Sequence, residues 1–154
     1  LTSLALGRGG LTARDAVARA EKAIDANSAA SLASIDAALR ELETRFGAAS
    51  ADGSVGDYEG LYLLAGNIID VSGCLRGSFV DKAAYALCDL ADVSAELRVW
   101  DRQAVSIHIQ VLQLLRTGGA ALTEVRRKRL VEGLYKVAAK RIGTIEAGPG
   151  RAGA

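Results

Sequence analysis

The amino-acid sequence predicts an all-α fold, an up-and-down antiparallel helical bundle, on three observations. Of 154 residues, 5% are aromatic, one is proline and 17 are glycine, while 50% are hydrophobic. Such a composition favours helices over strands, which draw on aromatic and β-branched residues. Apolar residues recur at three- and four-residue spacing through most of the chain. The glycine-containing breaks between these segments are short, which places successive helices side by side and antiparallel. A chain of this length supports one compact core rather than two.

Thr12 is a good N-cap for the periodic run Ala13 to Ala26, in which Ala16, Val17, Ala20, Ala23 and Ile24 share one face. Asn27 and Ser28 interrupt the pattern, yet Leu32, Ile35, Leu39, Leu42 and Phe46 continue it toward Gly47. One bent helix and two consecutive helices both fit, and a long interrupted helix is the preferred expectation. The small, polar stretch Ala48 to Gly56 is a loop, followed by a helix from about Asp57 to Leu75 and a turn at Gly77 and Ser78. Val80 to Leu97 is next, with Val80, Ala83, Ala84, Leu87, Leu90 and Ala91 on one side and Asp89, Asp92 and Glu96 on the other. Asp101 caps a helix that runs to Arg116 and closes at Gly118 and Gly119, and Thr123 caps a last one ending near Ile142. Residues 1–11 are expected to form a flexible lead, 12–143 the single bundle domain, and 144–154 a disordered tail.

Nineteen basic and 18 acidic residues give a net charge of +1, so no global field draws the chain onto nucleic acid or an anionic membrane, and neither is expected as a partner. No apolar run approaches the roughly 18–20 residues of a membrane span, and Leu1 to Gly10 is too short and too weakly apolar for a signal peptide. A soluble, cytoplasmic protein is the expectation. Cys74 and Cys88 lack metal-type spacing, and with His108 the only histidine no metal or cofactor is expected; both cysteines read as reduced thiols.

On a helical wheel, the 57–75 segment turns Tyr58, Leu61, Tyr62, Leu64, Ala65, Ile68, Ile69, Ser72 and Leu75 toward the core. The opposite side carries Leu63, Gly66, Asn67, Asp70 and Cys74. A mid-helix glycine costs roughly 1 kcal/mol relative to alanine, which marks either close approach by another body or simple tolerance.

The segment Leu61-Tyr-Leu-Leu-Ala-Gly-Asn-Ile-Ile-Asp-Val-Ser-Gly73, followed by Ala83-Ala-Tyr-Ala-Leu-Cys-Asp-Leu-Ala-Asp92, resembles the central two helices of histidine phosphotransfer (HPt) domains. Ala84 to Leu90 and Trp100 to His108 are also similar to the helical CheE-type proteins associated with alphaproteobacterial chemotaxis. The HPt resemblance implies a four-helix core with an extra N-terminal helix, and a docking face for response regulators. It also implies a position for each functional residue. The phosphoacceptor histidine falls on Gly66, the assisting lysine on Ile69, and the glycine that admits a response regulator on Asp70. Gly66 has no nucleophile and Asn67 is an amide, so the resemblance implies a degenerate member that keeps the scaffold and docking face without the phosphotransfer chemistry.

His108 lies near the middle of the apolar side of its helix, among Ala104, Val105, Ile107, Ile109, Val111, Leu112, Leu114 and Leu115, with Arg102, Gln103, Ser106, Gln110 and Gln113 opposite. The plain expectation is a core histidine hydrogen-bonded across the bundle. The alternative is a phosphoacceptor, which requires a ring that an aspartyl phosphate can reach. Counted along their helices, Gly66 and His108 fall at similar heights.

From Glu124 to Ala154 there are eight basic and three acidic residues, a local +5 that leaves −4 on the preceding part of the chain. Arg126, Lys128, Arg129, Lys136 and Lys140 form the polar side of the last helix, with Arg127 and Arg141 at its boundary. Three readings fit: a solvated face, contact with an acidic receiver surface, or self-association against Asp89, Asp92 and Glu96. No aromatic interleaving supports nucleic-acid binding. Tyr85 faces outward near Asp89, and Trp100 is explained by packing at a helix entry. The glycine clusters at Gly7 to Gly10 and Gly148 to Gly150 follow no strand and are weak as nucleotide motifs.

The function expected is therefore non-catalytic: a bacterial two-component or chemotaxis signalling protein that docks a response regulator, or a histidine kinase, through Leu63, Gly66, Asn67 and Asp70, with Arg126 and Arg129 as further contacts. The alternatives are a true phosphotransferase using His108 and a structural module that forms a homodimer.

Overall fold

The computed structural model describes residues 12–50 and 54–146. Among them run five α-helices, α1 (Ala13–Phe46), α2 (Tyr58–Val71), α3 (Val80–Leu97), α4 (Arg102–Thr117) and α5 (Glu124–Glu146), with 3₁₀ turns at Ser72–Cys74 and Gly119–Ala121. The fold class is the predicted one, an all-α bundle. Four of the helix starts carry side-chain caps, three of them, Thr12, Asp101 and Thr123, at the residues expected and the fourth at Asp57. Thr12 and Asp15 form a reciprocal capping box on α1. Asp57 accepts from Gly60 N at 2.9 Å on α2, Asp101 from Ala104 N at 2.9 Å on α4, and Thr123 from Arg126 N at 3.4 Å on α5. Each satisfies an otherwise orphaned N–H, typically about 1 kcal/mol. The start of α3 lacks a side-chain cap at Phe79. There Gly77 and Phe79 take positive φ values of 76° and 65°, and the Lys82 ammonium lies 4.5 Å from the Phe79 ring centre.

Helix α1 passes through Asn27 and Ser28 without a break. Neither residue removes a backbone donor, and their small propensity penalties are outweighed by flanking alanines. The two halves of α1 differ sharply. Ile35, Ala38, Leu39, Leu42 and Phe46 are buried, whereas every residue from Ala13 to Asn27 is exposed. The apolar stripe of that first half, which the shared face of Ala16, Val17, Ala20, Ala23 and Ile24 would place against the core, is thus uncovered among the described residues.

The core is a ring of α1, α2, α3 and α4, each in contact with the next and α4 closing back on α1. The expected four-helix core with an extra N-terminal helix is rearranged: the ring recruits the second half of α1, and the last helix, α5, is the one that packs outside it, against α3 and α4. Helix α5 has too basic a polar side to be enclosed on all faces. It continues through Gly143 to Glu146, beyond the end expected at Ile142; the lead 1–11 and the tail from 147 onward lie outside the described residues.

Helix α3 is the most enclosed, touching α2, α4 and α5. Ala83, Ala84, Ala86, Leu87, Cys88, Leu90 and Ala91 are all buried, and the alanines let neighbouring helices approach closely. Its exposed stripe is Tyr85, Asp89, Asp92 and Glu96. At its end, Arg98 takes φ 53°, and Val99 N donates to Ser94 O at 3.0 Å, a Schellman-type closure with arginine where glycine is usual.

One end of the bundle is held by an aromatic cluster. The Trp100 ring, between α3 and α4, lies 5.9 Å from Phe46 of α1 and 5.5 Å from Tyr58 of α2. Arg45 stacks over Phe46 at 5.0 Å and pairs with both Glu41 and the α2 cap Asp57. Farther along, Arg116 of α4 grips Asp36 of α1 with Nη2 donating at 2.9 Å and Nε 2.8 Å from the other oxygen. Trp100→Ala removes the aromatic contact shared by three elements and is expected to lower the unfolding free energy by about 2–4 kcal/mol in chemical denaturation, somewhat below the range for a fully buried tryptophan. A loss under about 0.5 kcal/mol contradicts the role assigned to it.

Candidate functional site

Between the exposed stripes of α2 and α3 runs a groove of about 530 Å³, lined by Tyr62, Leu63, Gly66, Asn67, Ile69 and Asp70 from α2 and by Tyr85, Cys88, Asp89 and Asp92 from α3. The four α2 residues singled out in the sequence, Leu63, Gly66, Asn67 and Asp70, therefore share one surface. Leu63 and Tyr85 are apolar bodies held in water, 57% and 52% exposed. Gly66 lies between them in sequence register, and a Cβ built there meets nothing within 4 Å, so the glycine opens the groove floor rather than serving a tight helix contact. Tyr62 is exposed, although the wheel turned it toward the core. The buried arc of α2, packed between α1 and α3, is Leu61, Leu64, Ala65 and Ile68, narrower than the apolar residues span, which leaves Tyr62 as a wall of the groove.

Three carboxylates, Asp70, Asp89 and Asp92, give the groove a negative rim. They do not make a metal centre: no group of three or more His, Cys, Asp or Glu among the described residues is arranged to hold an ion. Cys88 contributes no nucleophile. Its thiol lies 3.9 Å from Tyr62 O, and burial, reinforced by Asp92 and Asp89, pushes its pKa up to about 11. At neutral pH the sulfur is a protonated, weakly hydrogen-bonded core atom.

His108 is completely buried, at 0% exposure. Its Nδ1 lies 2.8 Å from Ala104 O, one turn back on the same helix, so Nδ1 carries the proton and donates. The expected bond across the bundle is not formed, and Nε2 is buried without a partner among the described residues. Burial lowers the pKa of the ring, opposed in part by the Ala104 bond. The similar heights of Gly66 and His108 do not make them neighbours, because α2 and α4 stand diagonally across the ring. No phosphoryl donor on another protein reaches this imidazole in the folded chain, which removes the access that a phosphoacceptor requires. The wheel also misplaced two residues near it: Ser106 is buried and Leu114 exposed, because α4 packs against α1, α3 and α5 at once.

Arg126 and Arg129 are exposed on α5 and do not line the groove. Helix α5 contacts α3 through the flank that carries Tyr135, whose hydroxyl pKa is raised by burial and by Asp89. At 100° per residue, Arg126 falls on the opposite flank and Arg129 on the outer face. Arg127 is spent internally, donating to Gly77 O at 2.9 Å and Gly119 O at 2.6 Å to join two turns at one end of the bundle. The groove residues missing from the sequence-derived site are Tyr62, Ile69, Tyr85, Cys88, Asp89 and Asp92. Tyr85, Asp89 and Asp92 were legible as one stripe, but nothing in the sequence paired that stripe with the outer face of α2.

Two measurements check this chemistry. In the native chain at pH 8, a thiol reagent is expected to label exposed Cys74 quickly and Cys88 only after unfolding; rapid labelling of both contradicts the burial of Cys88. His108 titrates lower in the folded than in the unfolded state, so its contribution to stability is present above about 6.5 and is lost as pH falls below it. The slope is at most about 1.4 kcal/mol per pH unit, and His108→Leu flattens it; an unchanged acid limb in that variant contradicts a neutral buried ring.

No family model matches the chain, and no curated protein or solved structure is significantly similar to it.

Proposed function

We propose that the chain is a non-catalytic module of bacterial two-component or chemotaxis signalling that docks a response-regulator receiver domain through the α2–α3 groove. The observation that carries it is the convergence of exposed Leu63, Tyr62 and Tyr85 around open Gly66, on the very face where the HPt resemblance puts regulator docking. A helix seated in such a groove presents an apolar centre to Leu63 and the tyrosines and basic flanks to Asp70, Asp89 and Asp92. The phosphoacceptor position holds glycine and the one imidazole is enclosed in the core, so phosphate stays on the receiver and the chain acts by occupying it. Arg126 and Arg129 belong to a separate surface and are left out of this footprint.

Titration of the chain with the receiver domains of its own organism, phosphorylated and not, tests the proposal. Leu63→Asp is expected to weaken docking at least tenfold, since a buried apolar anchor at an interface centre is typically worth more than 1.4 kcal/mol. Gly66→Trp fills the groove from a position with free space above it, and is expected to block docking while leaving the bundle folded. Absence of binding to any receiver, or binding unaffected by both variants, sinks the proposal, as does transfer of acid-labile phosphate to the chain.

A further inference from the structure

The exposed first half of α1 presents a feature that the groove does not account for. Among the described residues nothing covers a face of the helix from Ala13 to Asn27, and its stripe includes Val17 and Ile24, 57% and 63% exposed. A helix of about fifteen residues without tertiary support is marginal in water, and covering its apolar stripe would stabilise it. The charges on this arm are balanced, Arg14, Arg19 and Lys22 against Asp15, Glu21 and Asp25, so neither an anionic membrane nor a strongly charged partner is selected.

The spacing instead fits a second copy of the same chain, and we infer that the α1 arms of two molecules pair antiparallel. Heptad spacing puts Val17 and Ile24 at one core position and Ala13 and Ala20 at the other, with Ala16 and Ala23 beside them. In an antiparallel pair, Val17 then meets Ala20 of the second copy and Ile24 meets its Ala13, large against small in every layer. The alanines permit the close approach at which such short helices gain most from packing. The same register sets Arg14 within about two residues, roughly 3 Å along the axis, of the other copy's Glu21. Two-fold symmetry forms that pair twice, on the flank that borders Val17. The stripe is thus complementary to itself in shape and charge in a single register.

Sedimentation equilibrium of the full chain from micromolar to millimolar concentration reads this directly. A reversible monomer–dimer equilibrium is expected. Glu21→Arg and Arg14→Glu alone each replace two attractive pairs by two repulsive ones and are expected to weaken the dimer roughly tenfold, while the double variant restores it. Both positions are exposed, so the bundle stays folded, which far-ultraviolet circular dichroism verifies for each variant. A chain that is monomeric throughout overturns the inference, whether its arm amides exchange freely or are protected by another segment. A dimer that ignores both single reversals, or that the double variant fails to restore, overturns it equally.

Discussion

The enclosure of α3 is the constraint on which the rest of the molecule depends. Helices α2, α4 and α5 all lean on it, and alanines at positions 83, 84, 86 and 91 keep its girth small enough for three neighbours. Leu87 and Leu90 fill the spaces left between them, each worth about 1.5–3 kcal/mol of burial. A helix covered on three sides has one stripe left for solvent. On α3 that stripe is Tyr85, Asp89, Asp92 and Glu96, and its meeting with the outer face of α2 creates the groove. The groove is therefore a by-product of how the core must pack, and its chemistry is whatever those two stripes carry: aromatic and apolar bodies ringed by carboxylates.

The same packing decides what the groove cannot do. Closing α4 between α1, α3 and α5 takes His108 out of water, and a ring with one nitrogen bonded to its own helix and the other unpartnered favours the neutral form. Cys88, which does border the groove, is held protonated by burial and by the carboxylates beside it. The exposed residues of the groove are thus suited to shape and charge recognition, while the two groups weighed for chemistry near it, His108 and Cys88, are turned inward or held protonated. The proposed docking role rests on this division more than on any single residue.

Much of this was legible in the sequence. Capping residues announced three helix starts, at Thr12, Asp101 and Thr123, and the wheel found Leu63, Gly66, Asn67 and Asp70 as one outer face, because both depend on local spacing alone. What escaped depended on neighbours. Tyr62 was turned inward by a periodicity that could not know how narrow the buried arc of α2 is. The apolar stripe of Ala16, Val17 and Ile24 was indistinguishable from that of Leu39, Leu42 and Phe46, although the larger side chains of the second half secure its place in the ring and the alanines of the first half do not. Arg127 read as a boundary charge, and only the fold brings Gly77 O and Gly119 O within its reach.

Native-state hydrogen exchange on the full chain tests the organising role of α3 most directly. If α3 is the element on which α2, α4 and α5 all lean, its amides from Ala83 to Ala91 exchange only through global unfolding and are the slowest in the protein, slower than those of α5, which packs outside the ring. Amides of α3 that exchange as fast as those of α5, through a local opening that leaves the other helices protected, would contradict the account.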